Sequence, residues 1–469
     1  MNTSRIEYIR NQLNNHIRLF FSKSITEIFN DSFLKFLPYK EAIRIREKLI
    51  VIPVDTESKI VPTDIYHVNF NNTKLTLWNR MQKPSGEGWK AIPNDSTPLW
   101  YQHDSGTLMP AWNVFGNLFN LLTAQEEVEI SKRDEHGRFS SLYSPRLKAG
   151  LLEVPAFNEA AAVLVGGLAG LQENGLPKYE LNDLVKPPVV VLSHDCDVLY
   201  GNDFWTQIVR LYRVFLPIKR FRFPKVSNLW WIFRNYITPG RFYFDNVKGM
   251  IDIERNFGYT STFYLINGEY GRFGTRSGIK GIRNLAKIIP DEWDLGMHYN
   301  YNTFLNKDLF QAQRKELQDE LSLPINVGRA HYLRFDSQKS FSFLASNGIE
   351  IDESHGYVKR IGYRAGLGGC FQPYNLEMDK PIDIWEIPIV VMDACIVQQY
   401  GADAVCAFEK MIEHLKSVGG AISIIFHPGQ FFNPEHSAML GVYHKLLMAC
   451  RDAGAESKNA LALLKEVKQ

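Results

Sequence analysis

Val189-Val190-Val191-Leu192-Ser193-His194-Asp195-Cys196-Asp197 is the stretch on which the fold turns. Four apolar, mostly β-branched residues predict a strand buried on both faces, as in a parallel sheet rather than a half-exposed antiparallel one. The run then gives way to a histidine and two aspartates. Reactive side chains of α/β barrels gather at the C-terminal ends of parallel strands, so this ending predicts one wall of a site.

Working outward from it, similar runs recur. Thr262–Ile266 and Ala421–Phe426 read as strands, and Ile384–Met392 contains another interrupted by Pro388. The last full run is preceded by Val405, Phe408, Ile412 and Leu415 at helical spacing, closed by Gly419-Gly420, and is followed by His427. Strands alternating with amphipathic helices predict parallel α/β units. Upstream the texture differs. Trp100, Trp112, Phe115, Phe119 and Leu122 read as a buried stripe, Ala156–Leu171 as a buried helix, and Asn71-Asn72 and Pro84-Ser85-Gly86 as turns. Leu181–Pro188, ending in Pro187-Pro188, reads as a linker. The expected organisation is an N-terminal accessory α+β domain over 1–185 and a (β/α) barrel over 186–469.

The bulk numbers narrow the class. The 469 residues are 45% hydrophobic and 22% charged, which fits folded domains. A net charge of +2 gives no general pull toward nucleic acid or anionic membrane. Lys219-Arg220-Phe221-Arg222 is locally basic and reads as a solvated loop. Five scattered cysteines, Cys196, Cys370, Cys395, Cys406 and Cys450, suggest neither a zinc knuckle nor a disulfide framework. The first residues carry no continuous apolar core of an export signal, and Ala160–Leu171 is too short to span a bilayer. The expectation is a cytoplasmic protein with no membrane span and no nucleic-acid partner.

Within the candidate site, Asp195 and Asp197 at i and i+2 can both enter a pocket where the strand ends; capping the next helix is the plainer use of such a pair. His298 and Asn302, in His-Tyr-Asn-Tyr-Asn, would share a face if they lay on a helical turn, so that an imidazole and an amide oxygen could reach one ion. A surface histidine is the alternative. Strand alternation turns Cys196 away from the aspartates, into the core.

In order along the chain, Ser-His-Asp-Cys-Asp (193–197), Gly-Met-His-Tyr-Asn-Tyr-Asn (296–302), Gly-Arg-Ala-His-Tyr-Leu-Arg-Phe (328–335) and Phe-His-Pro (426–428) resemble the polysaccharide deacetylases of NodB homology, carbohydrate esterase family 4. The likeness is to a subgroup with a His-Asp-x-Asp motif and an extra N-terminal region. Gly356-Tyr357, Gly362–Gly366, Glu386-Ile387-Pro388, Met392-Asp393 and Gly137-Arg138-Phe139 share in it.

The resemblance implies a distorted (β/α) barrel and metal-dependent removal of N-acetyl groups from a saccharide, in bacterial surface-polysaccharide synthesis. It implies Asp195 as catalytic base, Arg329 as the arginine orienting it, and His427 as general acid. It implies Asp197, His298 and Asn302 as ligands of a divalent metal, zinc or else cobalt, manganese or nickel. Asn302 stands where the family commonly has a second histidine, and an amide oxygen implies looser binding or a harder ion. His194, His331 and Arg364 are candidate substrate contacts; packing against backbone, a core position and loop support are their respective alternatives. The partner implied is a saccharide bearing acetamido groups. A non-catalytic carbohydrate-binding barrel and an O-deacetylase are the competing readings.

Overall fold

In this computed structural model the described residues are 3–197, 226–238, 241–430 and 438–469, less 28, 31, 57–58, 94–95, 174, 272, 276–277 and 401–402, with a few isolated positions between 198 and 225. Lys219–Arg222 lie outside them.

The expected runs form the walls of a barrel. Its strands are β1 (Val189–Cys196), β2 (Ser261–Leu265), β3 (Asp294–Tyr299), β4 (Val327–Ala330), β5 (Ile351–Asp352), β6 (Trp385–Glu386), β7 (Val391–Met392) and β8 (Ala421–Ile425). They pair in parallel in the order β6-β5-β4-β3-β2-β1-β8-β7. That is the cyclic order of a (β/α) barrel opened between β6 and β7. Every residue of β1, β2 and β8 is buried, which is why these strands read as continuous apolar runs.

Proline chemistry opens the gap. Pro388 has no N–H to give a ladder, and the single strand region expected at Ile384–Met392 splits into β6 and β7 around it. The break is bridged by Ser423 of β8, whose hydroxyl donates to Pro388 O at 2.5 Å and accepts from Val390 N at 2.9 Å. Glu456–Ser457 adds a short parallel edge to β1. The helix expected before β8 spans Ala404–Val418.

The N-terminal part begins with α1 (Thr3–Phe20). A five-stranded mixed sheet follows, in the order Leu34–Leu37, Ile50–Pro53, Leu108–Pro110, Trp100–His103, Trp89–Ile92. Beside it lies the hairpin Tyr66–Phe70 with Thr73–Leu77. The turn joining them, Asn71-Asn72, places both residues at positive φ, 46° and 60°, as a two-residue hairpin turn favours.

Helix α2 (Ala156–Glu173) is buried from Ala156 to Leu171. Small residues let other chain segments lie directly on it. A Cβ on Gly170 would stand 1.8 Å from Leu176 O, and one on Gly166 would stand 2.4 Å from Lys178 O. Asn158, buried on α2, donates to Gly368 O at 2.8 Å and Gly419 O at 2.7 Å, tying the helix to the barrel. One hydrophobic cluster runs through α1, α2, the N-terminal sheet, β1, β8 and the C-terminal helices. All five cysteines are free thiols. Among the described residues no helix is long and apolar enough to cross a membrane.

Candidate active site and metal cluster

The C-terminal ends of six barrel strands converge on one site. β1 delivers Asp195 and, just beyond its end, Asp197; β3 delivers His298; β4 delivers Arg329 and then His331. Glu353 follows β5, Asp393 follows β7, and His427 lies two residues past the end of β8. His298 and Arg329 are direct neighbours in the β3–β4 register.

Arg329 is fully buried and its fork is filled. Nη1 donates to Asp195 Oδ1 at 2.6 Å, Nη2 to Ser193 Oγ at 2.7 Å and to the Glu353 carboxylate, and Nε to Glu353 O at 2.8 Å. Burial alone would raise the Asp195 carboxyl. The Arg329 guanidinium, above all, outweighs it and holds Asp195 below the usual carboxylate range. The second Asp195 oxygen, Oδ2, faces the site, 3.8 Å from His298 Nε2 and 3.8 Å from His427 Nε2.

Asp197, His298 and His331 bring one donor atom each within 4.8 Å of one another. His298 Nδ1 lies 3.0 Å from Arg329 O, and His331 Nδ1 lies 3.0 Å from Phe273 O. A carbonyl accepts only, so both Nδ1 atoms carry the proton and both Nε2 atoms turn a lone pair inward. Asp197 Oδ1 meets them at 3.0 Å and 3.7 Å, and has no hydrogen-bond donor of its own although it is buried. Burial chiefly depresses the His331 imidazole, to about 4, so it does not supply a proton there. Three acceptors aimed at one point call for a cation, and two imidazoles with one carboxylate suit a catalytic zinc-type ion with open positions.

The backbone sets His331 in place by a local contortion. Directly after it, Tyr332 and Leu333 both take left-handed conformations, φ 60° and 46°. Such positions cost bulky side chains energy and are kept where surrounding contacts enforce them. Here Arg138, from the N-terminal part, donates to Tyr332 O. His136 joins Phe273, Tyr301 and Tyr332 in an aromatic group beside the cluster, with Phe273 stacked on Tyr301 at 5.0 Å and Tyr332 38% exposed.

His427 sits across from Asp195. Its Nδ1 lies 3.0 Å from Asp393 Oδ1, and its backbone N–H donates to Asp393 Oδ2 at 2.9 Å. Nε2 therefore points into the site, 3.9 Å from Asp197 Oδ2. Burial by itself would lower this imidazole. Asp393 first, then Asp197 and Asp195, reverse that and carry it up to about 10.

Of the residues singled out from sequence, Asp195, Asp197, His298, Arg329, His331 and His427 come together. Asn302 does not join them. His298 is on a strand and Asn302 on the following 3₁₀ turn, Tyr301–Thr303, so the shared helical face expected of them does not form. The Asn302 amide instead donates to Glu269, and its oxygen accepts from Gln313 at 3.4 Å.

His194 is buried, bonded between Phe426 O at 2.8 Å and Glu254 at 2.7 Å; Glu254 also accepts from Ser261, Trp293 and Tyr443. Arg364 is buried against Glu127 at 2.7 Å and Gly356 O at 2.9 Å. Neither is placed to meet a substrate. Both hold elements together, for alternation along β1 turns His194 away from the side that Asp195 faces. Cys196 is buried in the barrel's second apolar cluster, as alternation required. Glu353 and the pairing role of Asp393 were not singled out from sequence. Asp393 was marked only as part of the Met392-Asp393 resemblance, and an acidic residue closing a short strand is the one weak signal Glu353 carries.

No curated protein matches the chain. Residues 1–172 match a family of unknown function, DUF7033. Solved structures that match include polysaccharide deacetylases and a carbohydrate esterase 4 family pseudoenzyme. One, assigned as a polysaccharide deacetylase of Mycobacterium smegmatis, is 13% identical, with a TM-score of 0.38 over 60% of this chain and 91% of that one. A polysaccharide deacetylase of Bacillus cereus is 10% identical, with a TM-score of 0.28 over 58% of this chain and 91% of that one. A carbohydrate esterase 4 family pseudoenzyme of Bacillus anthracis is 13% identical, with a TM-score of 0.27 over 62% of this chain and 73% of that one. The barrel is carried by its own strand order, and the site by its own distances.

Proposed function

We propose that the barrel is a metal-dependent hydrolase that removes N-acetyl groups from a saccharide, in the synthesis of a bacterial surface polysaccharide. The observation that carries it is the undonated Asp197 Oδ1 confronting two imidazole lone pairs, with Asp195 on one side and His427 beyond it. Asp197, His298 and His331 would hold the ion, His331 taking the position that sequence gave to Asn302. When bound, a divalent ion would polarise the acetyl carbonyl and make an attacking water more acidic.

The remaining work falls to this chain's own groups. Asp195 Oδ2 is the free oxygen of a carboxylate whose other oxygen is fixed by Arg329, so it is oriented to accept the proton of the attacking water. Arg329 keeps that carboxylate ionised and immobile. His427, protonated and braced by Asp393, directs Nε2–H toward the site and is placed to protonate the departing amine, which is a poor leaving group without a proton. Tyr332, exposed beside the cluster, offers a ring on which a sugar can rest.

The same groups would serve an O-acetyl ester, and released acetate together with a new primary amine distinguishes the two. The alternative of a carbohydrate-binding barrel without catalysis draws on Asn302 as a weak ligand; the grouping of His331 with Asp197 and His298 favours the catalytic reading instead. The test is elemental analysis of the purified protein alongside acetate release from N-acetylated saccharides. About one divalent ion per chain and metal-dependent acetate release are expected. A protein that binds no ion on titration and releases no acetate would overturn the proposal.

A further inference from the structure

Between β1 and β2 the chain carries its most unusual composition. Residues 204–244 hold eight of the 53 Lys and Arg and none of the 51 Asp and Glu, a charge of +8 that leaves the rest of the chain at −6. The same residues hold thirteen aromatic side chains. Within them lies α3 (Val226–Ile237), and its apolar stripe faces outward. Val226 is 78% exposed, Trp230 58%, Phe233 52% and Ile237 56%, at positions i, i+4, i+7 and i+11, with Tyr236 at 66% beside them.

Trp230 and Phe233 pack on each other, ring centroids 5.6 Å apart, and more than half of each stays exposed. A surface helix of a soluble domain turns such a stripe inward. Leu211, Tyr212 and Phe215, earlier in the segment, are exposed as well. A contiguous exposed apolar patch of this kind marks an interaction surface.

We propose that α3 is a membrane-docking element that seats its apolar stripe in the interface of an anionic lipid bilayer. Three observations favour that occupant. The stripe mixes aliphatic side chains with Trp and Tyr, which suits the boundary between acyl chains and headgroups. The flanking charge is of one sign, complementary to anionic lipid and confined to this segment of an otherwise acidic chain. Nucleic acid would use the basic groups but would leave Val226 and Ile237 in water.

The docking face is also tied to the site. Helix α4 (Arg241–Phe257) follows α3 directly; its Tyr243 is buried in one cluster with Cys196, next to Asp195 and Asp197, and its Asn246 donates to Pro428 O, next to His427, at 2.8 Å. If the deacetylase reading holds, the substrate is then a saccharide on a membrane-borne lipid; the docking itself does not depend on that reading.

The test uses the full chain with phosphatidylcholine vesicles and with vesicles of phosphatidylcholine and phosphatidylglycerol, followed by flotation and tryptophan emission. Binding to the anionic vesicles with a blue shift is expected, weakened by salt. Trp230→Ser with Phe233→Ser and Ile237→Ser should weaken it at least about tenfold. Arg234→Glu should weaken it by about fivefold or more at low salt. Because Trp230, Phe233 and Ile237 are exposed, metal content, thermal midpoint and acetate release from a soluble substrate should be unchanged in the triple variant.

Failure of the full chain to float with anionic vesicles would overturn the proposal, as would equal binding by the triple variant. Concentration-dependent self-association abolished by the triple variant, without vesicle binding, would assign the face to a second copy. Retention on nucleic acid but not on vesicles would assign it there. Loss of acetate release with vesicle binding intact would count against the deacetylase reading only.

Discussion

His427 and Asp393 act as one unit. The imidazole held up to about 10 is charged at neutral pH, so it can donate a proton to a leaving amine. Removing a general acid typically costs about 10²–10⁴-fold in rate. His427→Ala is expected to lose N-deacetylase turnover by that order with ion content kept, read as acetate released per bound metal. Asp393→Asn withdraws the main group that raises the imidazole. The alkaline limb of the kcat–pH profile should therefore move to lower pH, while the acid limb set by Asp195 stays. The sign for stability is the same: a raised imidazole contributes below its ordinary value and loses that contribution as pH climbs toward about 10. Alkaline unfolding should come earlier in wild type than its neutral-pH stability suggests, and the variant should lose this slope. At the neighbouring cluster, His331→Ala should lower retained metal by at least tenfold. Asn302→Ala should leave it nearly unchanged, because its amide is spent on Glu269 and Gln313. Equal losses in both variants, measured by elemental analysis after dialysis, would restore Asn302 as a ligand.

At the scale of elements, buried polar pairs and close backbone contacts join the N-terminal part to the barrel. Glu127, on the short helix Gln125–Glu129, meets Arg364 at 2.7 Å through both carboxylate oxygens, and Ser337 also donates to it at 2.7 Å. Burial would raise this carboxyl; Arg364 and His355 overcome that and hold it well below the usual range. The pair thus stabilises above the ordinary carboxylate range and fails only in strong acid. Glu127→Ala leaves a buried guanidinium uncompensated, a cost of about 3–5 kcal/mol, measurable by urea unfolding. Gly170→Ala tests the packing of α2. The new methyl would stand 1.8 Å from Leu176 O, a backbone atom, so the 176–178 segment must move away. A loss of about 1–3 kcal/mol is expected. A neutral effect would mean that the contact is looser than the backbone positions state.

Across the whole molecule, we read the division expected at Pro187-Pro188 as one of chemistry more than of folding. We propose that residues 186–469 carry every catalytic group, and that they do not fold alone. The hydrophobic cluster that fills one side of β1 and β8 continues through α1 and α2, and the 136–138 turn braces the strained turn after His331. Expressed without 1–185, the barrel should aggregate or run as an expanded species in size exclusion. A monodisperse, metal-binding 186–469 would show instead that the two parts fold independently.

Much of this was open to reading along the chain. β1, β2, β8, the helix before β8 and the buried α2 each announce themselves by local period and burial. Asp195, Asp197 and His427 were legible as candidates because strand and loop chemistry meet within a few residues. Three things were not local. His331 and Asn302 each sit inside a recognised motif, and only the strand-then-turn path of β3 and β4 decides which of them faces Asp197. His194 and Arg364 carry functional residue types, yet their partners, Glu254 and Glu127, lie 60 and 237 residues away. The outward turn of α3 could not be read either, since a helical apolar stripe looks the same in sequence whichever way it points. Sequence determined the apolar runs of β1, β2 and β8 and where polar groups end them, because those properties depend on neighbours within one strand, whereas β3, β4 and β5 were not read as strands. Tertiary structure decided which polar groups share a site and which are spent on packing, because that depends on strand order and on contacts between residues far apart in the chain.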